Sequence, residues 1–103
     1  MATFVAEQAG KVIGFAEVSL RRDYVNGCET SPVAFLEGIY VLPDHRRAGA
    51  GRALAAAAER WGRAHGCREL ASDALLENDA SRGFHAGAGF EETERVVYFR
   101  KRI

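Results

Sequence analysis

AFLEGIYVLPDHRRAGAGRALAAAAERWGRAHG, residues 34–66, is the stretch that decides the fold. An apolar run, a proline, a basic loop with glycines and a long alanine-rich segment follow one another, which predicts strand, loop and helix. A glycine-bearing loop at a helix N-terminus lets several backbone N–H groups converge on one anion, with the positive end of the helix dipole behind them. The stretch therefore predicts a phosphate site.

Within the helical part, Leu54, Ala57 or Ala58, Trp61 and Ala64 or His65 recur at helical spacing, and Gly66 suits the residue just past the C-cap. Cys67 is then expected to pack back on the last turn. Residues 69–73 predict a short strand whose polar end, Ser72-Asp73, marks its exit from the sheet. A strand, helix, strand order of this length favours parallel pairing.

Upstream, residues 3–7 and 12–22 predict two strands joined by the turn Gln8-Ala9-Gly10-Lys11, where glycine supplies a positive φ. Residues 21–32 have the Asn-Gly and Ser-Pro content of a surface loop, long enough to carry function. The strand at 33–42 holds one anomaly, Glu37 in an apolar run. A carboxylate there must either pair with one of the many arginines or face a polar cleft. Gly38 beside it suits a bulge.

Downstream, residues 75–79 predict a loop and Asn78 or Asp79 the N-cap of a second helix ending near Gly87-Ala88-Gly89. The tail FEETERVVYFRKRI predicts one or two strands. The whole reads β-β-β-α-β-α-β-β, an α/β domain with a mixed sheet, taken as one domain over residues 1–103.

Composition narrows the partners. The 103 residues are 48% hydrophobic and carry no net charge, with twelve arginines against two lysines, so nothing points to nucleic acid or an acidic membrane. Cys28 and Cys67 lack a metal or redox spacing and are read as reduced, with no metal expected. The N-terminus reads as neither a signal peptide nor a membrane span, and the expected compartment is the cytoplasm.

The loop itself reads Arg46-Arg47-Ala48-Gly49-Ala50-Gly51-Arg52. A Walker loop needs lysine then serine or threonine after the last glycine, and a dinucleotide fingerprint needs a third glycine and a later acid. Neither is present. What remains is a pyrophosphate cradle without a magnesium ligand.

Arg46-x-x-Gly49-x-Gly51, following Ile39-Tyr40-Val41 and preceding a long helix, resembles the acyl-coenzyme A signature of the GCN5-related N-acetyltransferases. Asn78 and the Gly89-Phe90 pair resemble the second helix and following strand of that family, so the resemblance runs from Thr3 onward. FLEGIYVLPDHRR, RWGRAHGCRELASD and GFEETERVVYFRKR are similar, more narrowly, to aminoglycoside 6′-N-acetyltransferases. The resemblance implies a mixed central sheet flanked by helices, acetyl-CoA as acyl donor, and direct transfer to a primary amine, foremost an aminoglycoside 6′-amine.

It also implies roles. Arg46 and the amides of Arg47, Ala48, Gly49, Ala50, Gly51 and Arg52 would hold the pyrophosphate. Ile39, Tyr40 and Val41 would line the pantetheine arm and aim an amide at the thioester carbonyl, and Asn78 would hydrogen-bond that arm. A polycationic acceptor calls for converging carboxylates, with Asp73 as ligand and base candidate, and Glu37, Tyr24, Glu29 and Glu94 next. Many family members place a general-acid tyrosine where this chain has His85.

The family's strand and two helices ahead of the first hairpin are not in this sequence. An uncovered sheet face is therefore expected, and with it a homodimer. The alternatives are a related acetyltransferase for a polyamine, small amine or protein N-terminus, and a non-catalytic coenzyme A binding or dimerisation module.

Overall fold

The computed structural model describes residues 1–74 and 76–103. The loop expected over residues 75–79 thus begins at Leu75, outside the described residues. Two compact units emerge, Met1–Asp73 and Ala74–Ile103.

The first unit contains β1 (Ala2–Gln8), β2 (Lys11–Arg21), β3 (Val33–Val41), a 3-10 turn at Pro43–His45, α1 (Ala50–Ala64) and β4 (Leu70–Ala71). The sheet order is β1-β2-β3-β4. The first two pairings are antiparallel and β3 with β4 is parallel, giving the mixed sheet read from the sequence. Ala9 and Gly10 both take positive φ, 51° and 77°, the geometry that matches a two-residue hairpin turn to strand twist.

One irregularity shapes β3. Glu17 pairs with Gly38 but Val18 pairs with Leu36, so Glu37 is an extra residue and the strand bulges there. On one face the bulge keeps Ala34, Leu36, Ile39 and Val41 in line with the Leu20, Val18, Ala16 and Gly14 positions of β2. This face meets α1.

The buried stripe of α1 is Leu54, Ala55, Ala58 and Gly62. Trp61, expected on that stripe, is only half-buried, and Gly62 takes the closest position. A Cβ on Gly62 would lie 2.9 Å from that of Ala34, so the absent side chain is what lets the helix sit directly on β3. The C-terminal turn ends as expected. Gly66 N–H bonds the Arg63 carbonyl at 3.1 Å and Cys67 N–H the Gly62 carbonyl at 2.9 Å, a Schellman motif with Cys67 buried over Gly62.

The second unit contains α2 (Asp79–Gly87), capped by Asn78, whose side-chain oxygen accepts the Ser81 N–H at 3.0 Å. It also ends in a Schellman motif: Gly89 N–H bonds the Ala86 carbonyl at 3.1 Å and Phe90 N–H bonds that of His85 at 2.9 Å.

Two expectations are corrected. The strand predicted at 69–73 is confined to Leu70–Ala71, because β3 leaves the pairing where it bulges. The tail forms no strand: residues 91–103 are all exposed and without regular structure. Apolar alternation marks a strand only where a neighbouring ladder satisfies the backbone and covers one face. Here Tyr98 and Phe99 are exposed, and Arg95 pairs locally with Glu92.

Candidate active site

The loop before α1 is built to leave donors open. Arg47 and Gly49 adopt positive φ, 65° and 91°, turning the chain sharply into the helix. For Arg47 that conformation costs about 1–2 kcal/mol, a strain typical of ligand-binding turns. Ala53 N–H is the first to bond back, to the Gly49 carbonyl at 3.0 Å, so the N–H groups of Ala50, Gly51 and Arg52 have no intrahelical acceptor. The N-cap Gly49 offers no side chain to cap them, and no acid lies in the first turn. With Arg46, Arg47 and Arg52 exposed around it, this donor set fits a pyrophosphate without a metal. Among the described residues no group of three or more His, Cys, Asp or Glu could hold a metal ion.

Two contacts, neither legible in the sequence, fix the loop. The Nε of Arg46 donates to the Val41 carbonyl at 2.9 Å, with its guanidinium 5.4 Å from the Tyr40 ring centre. His45 Nδ1 donates to the Gln8 side-chain oxygen at 2.9 Å, tying the 3-10 turn to the end of β1.

β3 pairs with β4 only at Ala34 and Phe35. Ala34 N–H points toward β4, bonding the Glu69 carbonyl at 3.1 Å, whereas Leu42 N–H points toward β2, bonding the Ile13 carbonyl at 2.8 Å. Counting alternately back from Leu42 turns the amides of Val41 and Ile39 to the β4 side, where, among the described residues, no strand partner remains. The bulge thus opens the sheet beside the α1 N-terminus. Of the expected pantetheine-lining residues, Ile39 and Val41 present amides to that opening, while Tyr40 directs its side chain to the face opposite α1.

On that opposite face Glu37 accepts two bonds from Arg21 Nη2, at 2.9 and 3.1 Å, and one from the Ser19 hydroxyl. Arg21 in turn lies 3.5 Å over the Phe35 ring. Burial pushes the Glu37 carboxyl up, but the bonds from Ser19 and Arg21 together with the Arg21 charge outweigh it and hold the pKa below the usual value. Glu37 is therefore an anchored anion, the arginine-paired alternative read from the sequence. Asp73 is exposed just beyond β4, and Tyr24 and Glu29 are exposed in the 22–32 loop.

In the second unit, the oxygen of Asn78 is spent on its cap, which leaves its NH2 group as the donor toward a ligand. His85 Nδ1 lies 2.7 Å from the Ser81 carbonyl. A carbonyl only accepts, so Nδ1 carries the proton. The ring packs edge-on against Phe90 at 5.0 Å. Glu94 is exposed in the tail.

Glu69, one position before β4, carries no functional signal in the amino-acid sequence. Its Oε1 accepts the N–H groups of Glu29 and Thr30, at 3.0 and 2.8 Å, and the Thr30 hydroxyl. Those bonds, led by that from the hydroxyl, hold its pKa below the usual value.

An open anion cradle at a helix N-terminus, beside a sheet parted by a bulge, is the arrangement of an acyl-CoA-dependent transferase. The chain belongs to the Acetyltransferase (GNAT) family, which it matches over residues 1–90. It is 56% identical over 102 residues to the aminoglycoside N(6′)-acetyltransferase type 1 of Salmonella typhimurium, covering 99% of this chain and 70% of that protein. Identity to the protein of the same name from Stenotrophomonas maltophilia is 59% over 100 residues, covering 96% and 65% respectively. Among solved structures, AAC(6′)-Iy in complex with a CoA bisubstrate analogue superposes with a TM-score of 0.93 at 55% identity, over 98% of this chain and 69% of that one.

Proposed function

We propose that the protein transfers an acetyl group from acetyl-CoA to the 6′-amine of an aminoglycoside. One observation carries the reading: the uncapped donors at the α1 N-terminus follow directly on the strand end whose Ile39 and Val41 amides turn away from β2, with Arg46 bonded back to Val41. The close relatives bearing the aminoglycoside N(6′)-acetyltransferase name support the choice of acceptor.

Acetyl-CoA supplies the acyl group as an activated thioester. Arg46 and the amides of Arg47, Ala48, Gly49, Ala50, Gly51 and Arg52 hold its pyrophosphate, Ile39, Tyr40 and Val41 line its pantetheine arm, and the Asn78 NH2 donates to that arm. The amide of Ile39 or Val41 stabilises the oxyanion as the amine attacks. Asp73 binds the acceptor ammonium groups and takes the proton of the attacking amine. Glu37, Tyr24, Glu29 and Glu94 add to the polar and negative lining that a polycation requires. His85 is the candidate to protonate the leaving thiolate.

Transfer is direct, without an acyl-cysteine. Burial pushes up the thiol pKa values of both Cys28 and Cys67, which makes each a poor nucleophile.

Both units serve one acetyltransferase domain in this reading, as the family match spanning them supports. The working form is a homodimer. Val5, Phe15 and Tyr40 are cross-strand neighbours, all exposed, and make an apolar row on the face opposite α1, which a second copy would cover. Two free cysteines are in keeping with a cytoplasmic location, and among the described residues no helix is long and apolar enough to cross a membrane.

The test is thiol release from acetyl-CoA with neamine, sisomicin and spermidine as acceptors, repeated with Asp73→Asn. Aminoglycoside-dependent release that falls at least about a hundredfold in the variant, as for loss of a general base, is expected. Release with spermidine alone, or none with any amine, overturns the assignment, and undiminished release by Asp73→Asn removes that residue from the site.

A further inference from the structure

The 22–32 loop carries Tyr24 and Glu29 yet has no helix or strand to hold it. Its middle is pinned by Val25, buried with Val33 and Phe35, and its base by the Ser31 hydroxyl donating to the Arg22 carbonyl at 2.8 Å. The segment bearing Glu29 is held differently, by the carboxylate of Glu69. Two backbone amides and a hydroxyl converge on one oxygen, an arrangement only an acceptor at that point satisfies. The backbone carbonyl of Glu69 meanwhile receives Ala34 N–H at 3.1 Å, where β3 and β4 begin to pair. One residue thus joins the loop to the strand pair, and Asp73 follows it four residues along the chain, just beyond β4.

We infer that Glu69 is a positioning residue: it fixes Glu29 relative to Asp73 and so sets affinity for the aminoglycoside without touching it. The inference rests on the functional reading above. The cluster of Val25, Val33 and Phe35, with Cys28 and Ala71 packed against it, maintains the fold of this region by apolar burial and does not use the carboxylate. Glu69 itself is only partly buried. Its loss therefore loosens the 29–31 segment and leaves the core in place.

Steady-state kinetics with neamine and acetyl-CoA test this. In Glu69→Ala the neamine KM rises about tenfold, the scale of one hydrogen bond to a charged group. The acetyl-CoA KM stays within about twofold, since the cradle at α1 is untouched. Glu69→Gln, which retains an acceptor oxygen, recovers most of the loss. Labelling of Cys28 by a disulfide reagent, resolved from Cys67 by peptide mass, becomes faster in both variants, because burial first and the Glu69 carboxylate second hold that thiol's pKa up, and both variants remove the second. Thr30→Val, which removes one donor alone, raises the neamine KM about threefold and serves where Glu69→Ala does not fold.

An unchanged neamine KM in the folded variants, or an equal rise in both KM values, overturns the inference while leaving the wild-type activity standing. A wild type inactive on neamine overturns the functional reading and this inference with it.

Discussion

The Nε of Arg46 donates to the carbonyl of Val41 at 2.9 Å, so the first residue of the basic loop is fastened to the last residue of β3. This bond sets the distance between the anion cradle and the opened strand edge. Arg46→Ala should raise the acetyl-CoA KM about tenfold, from lost hydrogen bonding to a charged group, and leave the aminoglycoside KM within about twofold. Arg46→Lys should restore little, because a lysine lacks the planar fork that holds the carbonyl. Equal KM values for acetyl-CoA in wild type and Arg46→Ala would contradict the arrangement.

Stability should divide sharply between two helical glycines. At Gly62 even a Cβ meets Ala34 at 2.9 Å, so Gly62→Val should cost about 1–3 kcal/mol by overpacking. At Gly83 a Cβ meets nothing within 4 Å, and Gly83→Ala should stabilise α2 by about 0.5–1 kcal/mol through helix propensity. Denaturant unfolding of the two variants measures both, and the signs should be opposite.

Glu37 gives a pH dependence of defined sign. Its folded pKa is held below the ordinary value of 4.5, so the ion pair with Arg21 and the Ser19 bond stabilise the fold fully above that value. The contribution is lost as pH falls through the folded pKa. The stability gap between wild type and Glu37→Gln should therefore be constant from pH 7 down to about pH 5 and close below pH 4. A gap that widens on acidification would refute the pairing. The same depressed pKa suits Glu37 to holding a cationic acceptor and ill suits it to accepting a proton near neutrality.

His85 bonds the Ser81 carbonyl through Nδ1 and packs its ring edge-on against Phe90. His85→Phe keeps an aromatic ring against Phe90 and removes both nitrogens. If the ring donates the proton to the leaving thiolate, kcat in His85→Phe should fall about a hundredfold, the scale of a lost general acid. An unchanged kcat would assign the ring to packing alone.

Where local physics determined the outcome, the sequence was sufficient. The Ala9-Gly10 turn, the Asn78 cap, the glycine-terminated helices and the bulge near Gly38 follow from backbone geometry that few residues satisfy. Contacts across the sheet were not legible: Arg21 with Glu37, Gln8 with His45 and Glu69 with Thr30 pair residues far apart in the chain by register that composition does not encode. Gly62 was overlooked because hydrophobic periodicity rewards the large Trp61, whereas the tight helix–sheet approach selects the smallest side chain. The tail misled for the converse reason: its alternation reports a capacity for pairing, which no ladder fulfils.

The extra residue in β3 also behaves as a removable unit of length. Leu36 and Ile39 occupy the same face only because Glu37 does not count in the pairing. Deleting it would leave Leu36, Gly38, Ile39 and Tyr40 alternating regularly, with every strand partner retained. Such a chain would keep its core and its place in the sheet while losing one carboxylate and the local widening of the strand. A protein shortened by one residue would then keep its parent's fold, lacking only the stabilisation of the Glu37 ion pair, and serve as the inactive scaffold against which each site residue can be judged.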